Sequence, residues 1–137
     1  SAELQLIAME SACHEGNTTE ALDLLNDLRK HRIENYVPYT MQTLPAVVHD
    51  DIIKVDAQGK ELTPLMYAIL CERRKELFLE GDRFMELKRN GRPEFWITNK
   101  GLKYTTYKFM YTFALPASDI QLNPTLQQNP GYTEIEY

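Results

Sequence analysis

The sequence predicts a mostly α-helical fold, and three observations support this prediction. Residues 3–15 and 17–32 carry apolar or small side chains at three- and four-residue steps, the period of one helix face. Residues 63–89 continue this period over a longer stretch, from Met66 to Leu87. The remaining chain is rich in aromatic residues, proline and glycine, which indicates irregular loops, a short strand or hairpin and a turn-rich C-terminal tail.

The first two predicted helices form a repeat-like, TPR-like antiparallel pair. Gly16 ends the first helix, and Asn17 with Glu20 has the spacing of a capping box at the start of the second. The chain has no second copy of this pair, so its outer apolar face predicts self-association. The residues expected to be buried are Leu4, Ile7, Ala8, Ser11 and Ala12 on the first helix and Ala21, Leu24, Leu25 and Leu28 on the second.

The third predicted helix begins with Thr63 as N-cap and Pro64 at its first position, and it runs to about residue 89. Residues 31–62 before it mix proline with β-branched residues, which predicts a short strand or hairpin near residues 47–55 and a turn at 56–59. After residue 91, residues 109–115 predict another short strand. We expect the tail, residues 116–137, to form ordered turns.

Charged residues interrupt the apolar face of the third helix at Arg73, Glu76, Glu80 and Arg83. Charges beside apolar residues need partners, because desolvation costs several kcal/mol per ion. Arg73 with Glu76, and Glu80 with Arg83, are three residues apart, which is contact distance on a helix. The sequence therefore predicts a partly buried ion network that fixes how the helix docks. Gly81 in mid-helix suggests the close approach of another backbone.

The same carboxylates suggest a catalytic alternative. Glu72, Glu76 and Glu80 are four residues apart and could present two carboxylates for glycoside hydrolysis or a metal ion. Neighbouring arginines would lower the pKa of these carboxyls, which is the opposite of what a general acid needs. A structural role is therefore favoured, and no enzyme activity is expected.

No cofactor and no metal site are expected from the other residue types. Cys13 and Cys71 have no Cys-x-x-Cys spacing, and free buried thiols are favoured, although a disulfide between them stays open. The histidines at 14, 31 and 49 share no spacing. Three aromatic residues in a predicted loop could stack on a sugar ring or pack in the core, and they are the ligand-binding candidates Trp96, Tyr104 and Tyr107.

Length and charge limit the class of protein. The 137 residues are 43% hydrophobic and 26% charged, which is usual for one globular domain, here residues 1–137. The net charge of −5 argues against a nucleic-acid partner. The sequence contains no apolar run of the ~18 residues that a membrane span needs. The start lacks a signal-peptide pattern and lies within a helical pattern, so we expect a segment of a longer chain.

The third helix and the tail contain seven segments of distinctive composition. These segments are ERRKEL at 72–77, LEGDRF at 79–84, LKRNG at 87–91, LP at 115–116, DI at 119–120, LNP at 122–124 and QNPGY at 128–132. Together, they resemble the signature of the SusD/RagB proteins in both spacing and order. The opening helix pair is similar to the last repeat-like unit of that family, so the resemblance covers most of the chain apart from residues 31–62. Met85 is a departure, since an aromatic often stands there.

The resemblance implies a non-catalytic lipoprotein on the outer membrane of Bacteroidetes. Such proteins hold glycans or other nutrients for a SusC-like TonB-dependent transporter, and they are built on repeat-like helix pairs. Because family members are much longer, it also implies that this chain is a C-terminal part, with the lipid anchor and most of the ligand platform upstream. The matched residues look architectural, so no ligand-binding residue is carried over.

Two other classes of protein stay open. The first helix pair alone would suit a helical-repeat scaffold for protein partners, but that class leaves the tail motif unexplained. The carboxylates would suit a small hydrolase, but the arginines beside them argue against it.

Overall fold

The computed structural model describes residues 1–48 and 51–132, which are mostly helical as the sequence predicts. The chain divides into two compact units, Ser1–Gly91 and Arg92–Tyr137. In the first unit lie α1 (Ala2–His14), α2 (Thr18–Lys30), α3 (Pro64–Glu76) and α4 (Asp82–Arg89). In the second unit lie β1 (Phe95–Asn99), β2 (Leu102–Thr106), a 3-10 helix (Lys108–Tyr111) and α5 (Ala117–Leu122). The predictions for His49 and for residues 133–137 fall outside the described residues.

Helices α1 and α2 form the predicted antiparallel pair. Gly16 has a φ of +80°, which suits the tight turn between them. The Asn17 side chain accepts a hydrogen bond from the Glu20 backbone N–H and donates one to the Glu20 carboxylate, so the predicted N-cap is confirmed. The capping box is incomplete, because the Asn17 backbone N–H donates to the Ala12 carbonyl instead of to Glu20. At the other end of the pair, Gln5 Nε2 donates to the Leu24 carbonyl at 3.1 Å and to Asp27 at 3.0 Å.

The face that α1 buries differs from the predicted one. Leu4 and Ile7 are exposed by 68% and 50%, whereas Leu6 and Met9 are fully buried. The prediction failed because α1 carries apolar residues on two faces, and only packing against α2 and α3 selects one of them. The predicted stripe of α2 is largely confirmed, with Leu24 half-buried. The core of this unit consists of Leu6, Met9, Ala12, Ala21, Leu25, Leu28, Leu65, Ala68 and Ile69.

Helix α3 begins as predicted, because Thr63 Oγ1 accepts a hydrogen bond from Met66 N and Pro64 holds the first position. The expected single helix over residues 63–89 is wrong, however. The backbone leaves α3 after Glu76, passes through Leu79 at φ +65° and Gly81 at φ +83°, and re-enters a helix at Asp82. The turn leaves the Phe78 and Leu79 side chains exposed by 73% and 89%.

Gly81 therefore has a different role from the expected one. A Cβ atom on Gly81 would meet nothing within 4 Å, so no other backbone approaches it closely. Instead, Gly81 is the left-handed N-cap of α4, a conformation that costs a residue with a side chain about 1–2 kcal/mol.

The middle stretch contains the predicted turn and only a trace of the predicted strand. Asp56 Oδ1 accepts hydrogen bonds from the backbone of Gln58 and Lys60, both at 2.9 Å, and this closes the turn. A single antiparallel bridge joins Val55 to Glu61 across it. Two backbone hydrogen bonds flank this bridge, from Asp56 N to the Lys60 carbonyl and from Leu62 N to the Lys54 carbonyl, and no longer ladder extends into the described part of residues 47–55.

The second unit contains a hairpin in a segment that was predicted to be a loop. Strands β1 and β2 pair antiparallel around Lys100 and Gly101, whose φ values of +50° and +80° are those of a type I′ turn. The strand expected at residues 109–115 is not found in the described chain, where Lys108–Tyr111 is a 3-10 helix. The tail is turn-rich as expected, apart from the short α5.

Candidate functional site

A buried charge cluster joins α1, α3 and α4 in the first unit. Arg73 is 7% exposed, and it donates from Nε to Asp82 Oδ2 at 3.0 Å and from Nη2 to Asp82 Oδ1 at 2.7 Å. Its Nη1 lies 3.6 Å from Glu10 Oε1. The paired contact with Asp82 spans the break between α3 and α4, so Arg73 fixes the two helices relative to each other.

Glu10 holds the opposite side of this cluster. Its carboxylate is 7% exposed and accepts two hydrogen bonds from Arg89, at 2.6 and 2.7 Å. Glu10 thus lies between two guanidinium groups, one from α3 and one from α4. The contact raises the pKa of Arg89, chiefly through the hydrogen bond to Glu10. The two guanidinium groups compensate the charge of the buried carboxylate.

The four charged residues predicted as a network do not pair in the predicted way. Arg73 binds Asp82 and Glu10 instead of Glu76. Glu76 accepts two hydrogen bonds from Arg32 of the α2–α3 connection, at 2.9 and 3.1 Å. Glu80 lies in the exposed turn, and the described residues give its carboxylate no ion-pair partner.

Arg83 pairs within α4 with Glu86, one turn further along. Glu86 is 1% exposed, and burial raises the pKa of its carboxyl while the hydrogen bond from Arg83 opposes the shift. Glu86 Oε1 has no hydrogen-bond partner in the described structure, and the lack of a donor there acts in the same direction as burial.

Sequence reasoning missed Glu10, Asp82, Glu86 and Arg89. One signal was available for Glu10, since Leu6, Met9 and Cys13 form an apolar stripe that Glu10 interrupts. A charge in an apolar stripe of α1 needs a partner of opposite charge on a neighbouring helix. Arg73 on α3 has the same need. Glu10 and Arg89 are 79 residues apart, so a local sequence pattern could not have predicted their contact.

Glu72, the remaining carboxylate of the catalytic alternative, is also held by cations. Its Oε2 lies 3.8 Å from Arg29 Nε and 3.2 Å from Lys75 Nζ. The Arg29 guanidinium carbon also lies 3.5 Å from the centroid of the Tyr39 ring. Cations therefore flank Glu72 and Glu76, which disfavours a general acid at either position. Among the described residues, no group of His, Cys, Asp and Glu side chains is arranged to hold a metal ion.

The three aromatic ligand candidates do not converge on one surface. Trp96 lies on β1 opposite Thr105, and Tyr104 lies on β2 opposite Ile97. Because neighbouring residues of a strand point to opposite faces, Trp96 and Tyr104 occupy opposite faces of the hairpin. Tyr107 follows β2 and stacks on Phe109, with ring centroids 5.9 Å apart. The rings of Trp96, Tyr104 and Tyr107 are exposed by 60%, 50% and 45%.

The tail motif is architectural in the second unit. The Gln128 side chain accepts from Leu115 N at 2.8 Å and donates to Leu115 O at 2.9 Å, which copies the pairing of two strands. Gly131 has a φ of +93°, and a Cβ there would lie 2.4 Å from Phe109 Cγ. Tyr132 donates to the Thr112 carbonyl. These contacts explain why the motif needs Gln, Gly and Tyr.

Comparison with known proteins places this arrangement in a family. The model of the SusD family matches residues 1–132, which include the helix pair, the charge cluster and the tail motif. No curated protein and no solved structure matches the chain significantly. Since the match extends over almost the whole sequence, the chain belongs to the SusD family.

Proposed function

We propose that this protein binds glycans or other nutrients at the bacterial outer membrane, without catalysis, and delivers them to a SusC-like TonB-dependent transporter. The observation that supports this proposal most is the family match over residues 1–132. SusD-family proteins are binding proteins rather than enzymes, and the family is associated with glycan and nutrient binding in Bacteroidetes.

The charge cluster supports a non-catalytic function. Glu10, Glu72 and Glu76 each have cationic partners within 4 Å, and Asp82 is held by Arg73. Catalysis by a pair of carboxylates needs one group with a raised pKa beside a second, free carboxylate. Glu86 has a raised pKa, but it is 1% exposed and therefore closed to a substrate. We infer that the charges serve architecture.

The proposed location is the outer-membrane surface, where a lipid anchor would hold the protein. SusD-family proteins are generally surface lipoproteins of the outer membrane that associate with SusC-like transporters. Within residues 1–48 and 51–132, none of the helices is both long and apolar enough to cross a membrane. Trp96, Tyr104 and Tyr107 remain the candidates for ligand contact in this chain.

Affinity electrophoresis in gels that contain single polysaccharides tests the proposed function, with chromatography of each incubated polysaccharide as a second readout. We expect at least one polysaccharide to retard the protein and to remain uncleaved. Release of oligosaccharides from a bound polysaccharide would contradict the non-catalytic reading. Free migration through every polysaccharide and no binding of nutrient peptides would contradict nutrient binding.

A further inference from the structure

One face of the β1–β2 hairpin combines an exposed indole with polar groups. The register places Trp96 opposite Thr105 and Thr98 opposite Lys103. Directly opposed residues share a face, so these four side chains lie together on one side of the hairpin. We call them the Trp96 face. The other side carries Phe95, Ile97, Leu102 and Tyr104 with Asn99 and Thr106, so it is the more apolar of the two.

Lys103 already contacts the ring of Trp96. Its ammonium nitrogen lies 5.1 Å from the centroid of the indole, at the diagonal position across the hairpin. Both side chains are exposed, so this cation–π contact is weak and the flexible lysine stem can move. A flat ligand that stacks on the indole would therefore find an ammonium group within reach of its edge.

The hairpin segment is basic in an otherwise acidic chain. Residues 92–108 contain four basic residues and one acidic residue, whereas the chain has a net charge of −5. The acidic residue is Glu94, and its carboxylate accepts a hydrogen bond from the backbone of Lys108 at 3.0 Å. Positive charge beside an aromatic ring favours an anionic ligand with a stackable ring.

We propose that the Trp96 face binds an acidic glycan built of uronic acid sugars. The indole would stack on the C–H face of one sugar ring, Lys103 would pair with its carboxylate, and the Thr98 and Thr105 hydroxyls would bond to sugar hydroxyls. A uronate carries its carboxylate on a ring carbon, so stacking on Trp96 brings that carboxylate beside Lys103. This inference rests on the proposed function, and it adds the class of glycan and the residues that recognise it.

A single-stranded nucleic acid also combines rings with negative charge, but the observations favour the glycan. Nucleic-acid binding needs a stripe of cations that follows many phosphates. On the Trp96 face one aromatic ring is accompanied by one cation and two hydroxyls, and hydroxyls suit the many hydroxyl groups of a sugar.

Trp96 is the only tryptophan of the chain, so its fluorescence reports on this face alone. We would titrate the full chain with trigalacturonate, with its methyl-esterified form as the uncharged control, and with a short single-stranded oligonucleotide. We expect trigalacturonate to change the fluorescence saturably, and the methyl ester to bind roughly tenfold more weakly or less. Added salt should weaken only the binding of the charged form.

Three variants make the test specific. Trp96→Ala should reduce trigalacturonate affinity by roughly tenfold or more, measured by calorimetry because the fluorophore is lost. Lys103→Gln should weaken binding of the acid and leave that of the ester unchanged. Leu102→Ala, which truncates an exposed apolar side chain on the opposite face, should match the parent.

Several results would overturn this inference. They are equal binding of the acid and the ester, equal losses for Trp96→Ala and Leu102→Ala, preference for the oligonucleotide, or no binding of trigalacturonate while another glycan binds. In the last case the proposed function stands and only the Trp96 face is rejected. If no glycan or nutrient of any class binds, both proposals fail.

Discussion

Arg89 donates two hydrogen bonds to the two carboxylate oxygens of Glu10, at 2.6 and 2.7 Å, and so joins α4 to α1. On its other side, Glu10 lies 3.6 Å from the guanidinium of Arg73 in α3. One buried carboxylate therefore connects three helices. Removal of this carboxylate would leave Arg73, which is 7% exposed, with Asp82 as its remaining described ion-pair partner.

Glu10→Gln should destabilise the protein by about 3–5 kcal/mol, the usual cost of breaking a buried ion pair. Urea denaturation at neutral pH measures the free energy of unfolding. Glu3→Gln, in the exposed first turn of the same helix, is the matched control and should cost less than about 1 kcal/mol. Equal losses in the two variants would mean that Glu10 does not hold the helices together.

Gly81→Ala should destabilise the protein by about 1–2 kcal/mol, because Gly81 has a φ of +83° and nothing else crowds the position. In a continuous helix the same change would stabilise by about 1 kcal/mol, so the sign of the effect identifies the break. Leu79→Gly is the control. Leu79 has a left-handed backbone conformation and an exposed side chain. Glycine relieves the backbone strain in the native state but adds conformational freedom to the unfolded chain, so the free energy of unfolding should change little.

Stability should depend on pH through Glu86. Burial raises the pKa of its carboxyl, so the native state holds the proton to higher pH than the unfolded chain. The stabilisation from this proton is complete below the ordinary pKa and is lost as the pH rises through the raised one. Glutamine has no proton to lose, so Glu86→Gln removes this pH dependence. The free energy of unfolding of the variant minus that of the parent should therefore rise as the pH increases from about 4 to 7. Urea denaturation across this range checks it, and a constant or falling difference would refute the assignment.

The two cysteines should be free and poorly reactive. Cys13 and Cys71 form no disulfide in the structure, and burial raises the pKa of both thiols. Because the thiolate is the reactive form, a disulfide reagent should label them slowly in the native protein and rapidly in urea. Two thiols per chain should be titrated after unfolding without reductant. Rapid native labelling, or none after unfolding, would contradict this expectation.

Local signals in the sequence predicted local structure well. The capping pair Asn17–Glu20 and the N-cap Thr63 formed as expected, because each depends on residues within one helical turn. The hairpin could have been predicted in the same way, since Lys100-Gly101 stands between two segments rich in β-formers. The helix breakers mixed with the aromatic residues around it suggested a loop instead.

The break between α3 and α4 was hidden because the apolar period continues across it. Its signal was Gly81 followed by Asp82, a glycine cap with an acid in the first turn of the next helix. The partners of the charged residues were harder to foresee. Arg73 is paired, as predicted, but its partners differ from the predicted one. Asp82 contacts Arg73 because the chain turns between α3 and α4, and Glu10 lies on a helix more than 60 positions earlier. Tertiary packing, rather than spacing, decides such pairs.

A double-mutant cycle on Glu10 and Arg89 tests most directly whether the buried charges serve as architecture. Glu10→Gln, Arg89→Gln and the double variant would be compared by urea denaturation, with glycan affinity measured on each folded variant. The structure predicts a coupling energy above about 1 kcal/mol and unchanged glycan affinity. Additive losses within about 0.5 kcal/mol, or a loss of affinity in folded variants, would contradict it.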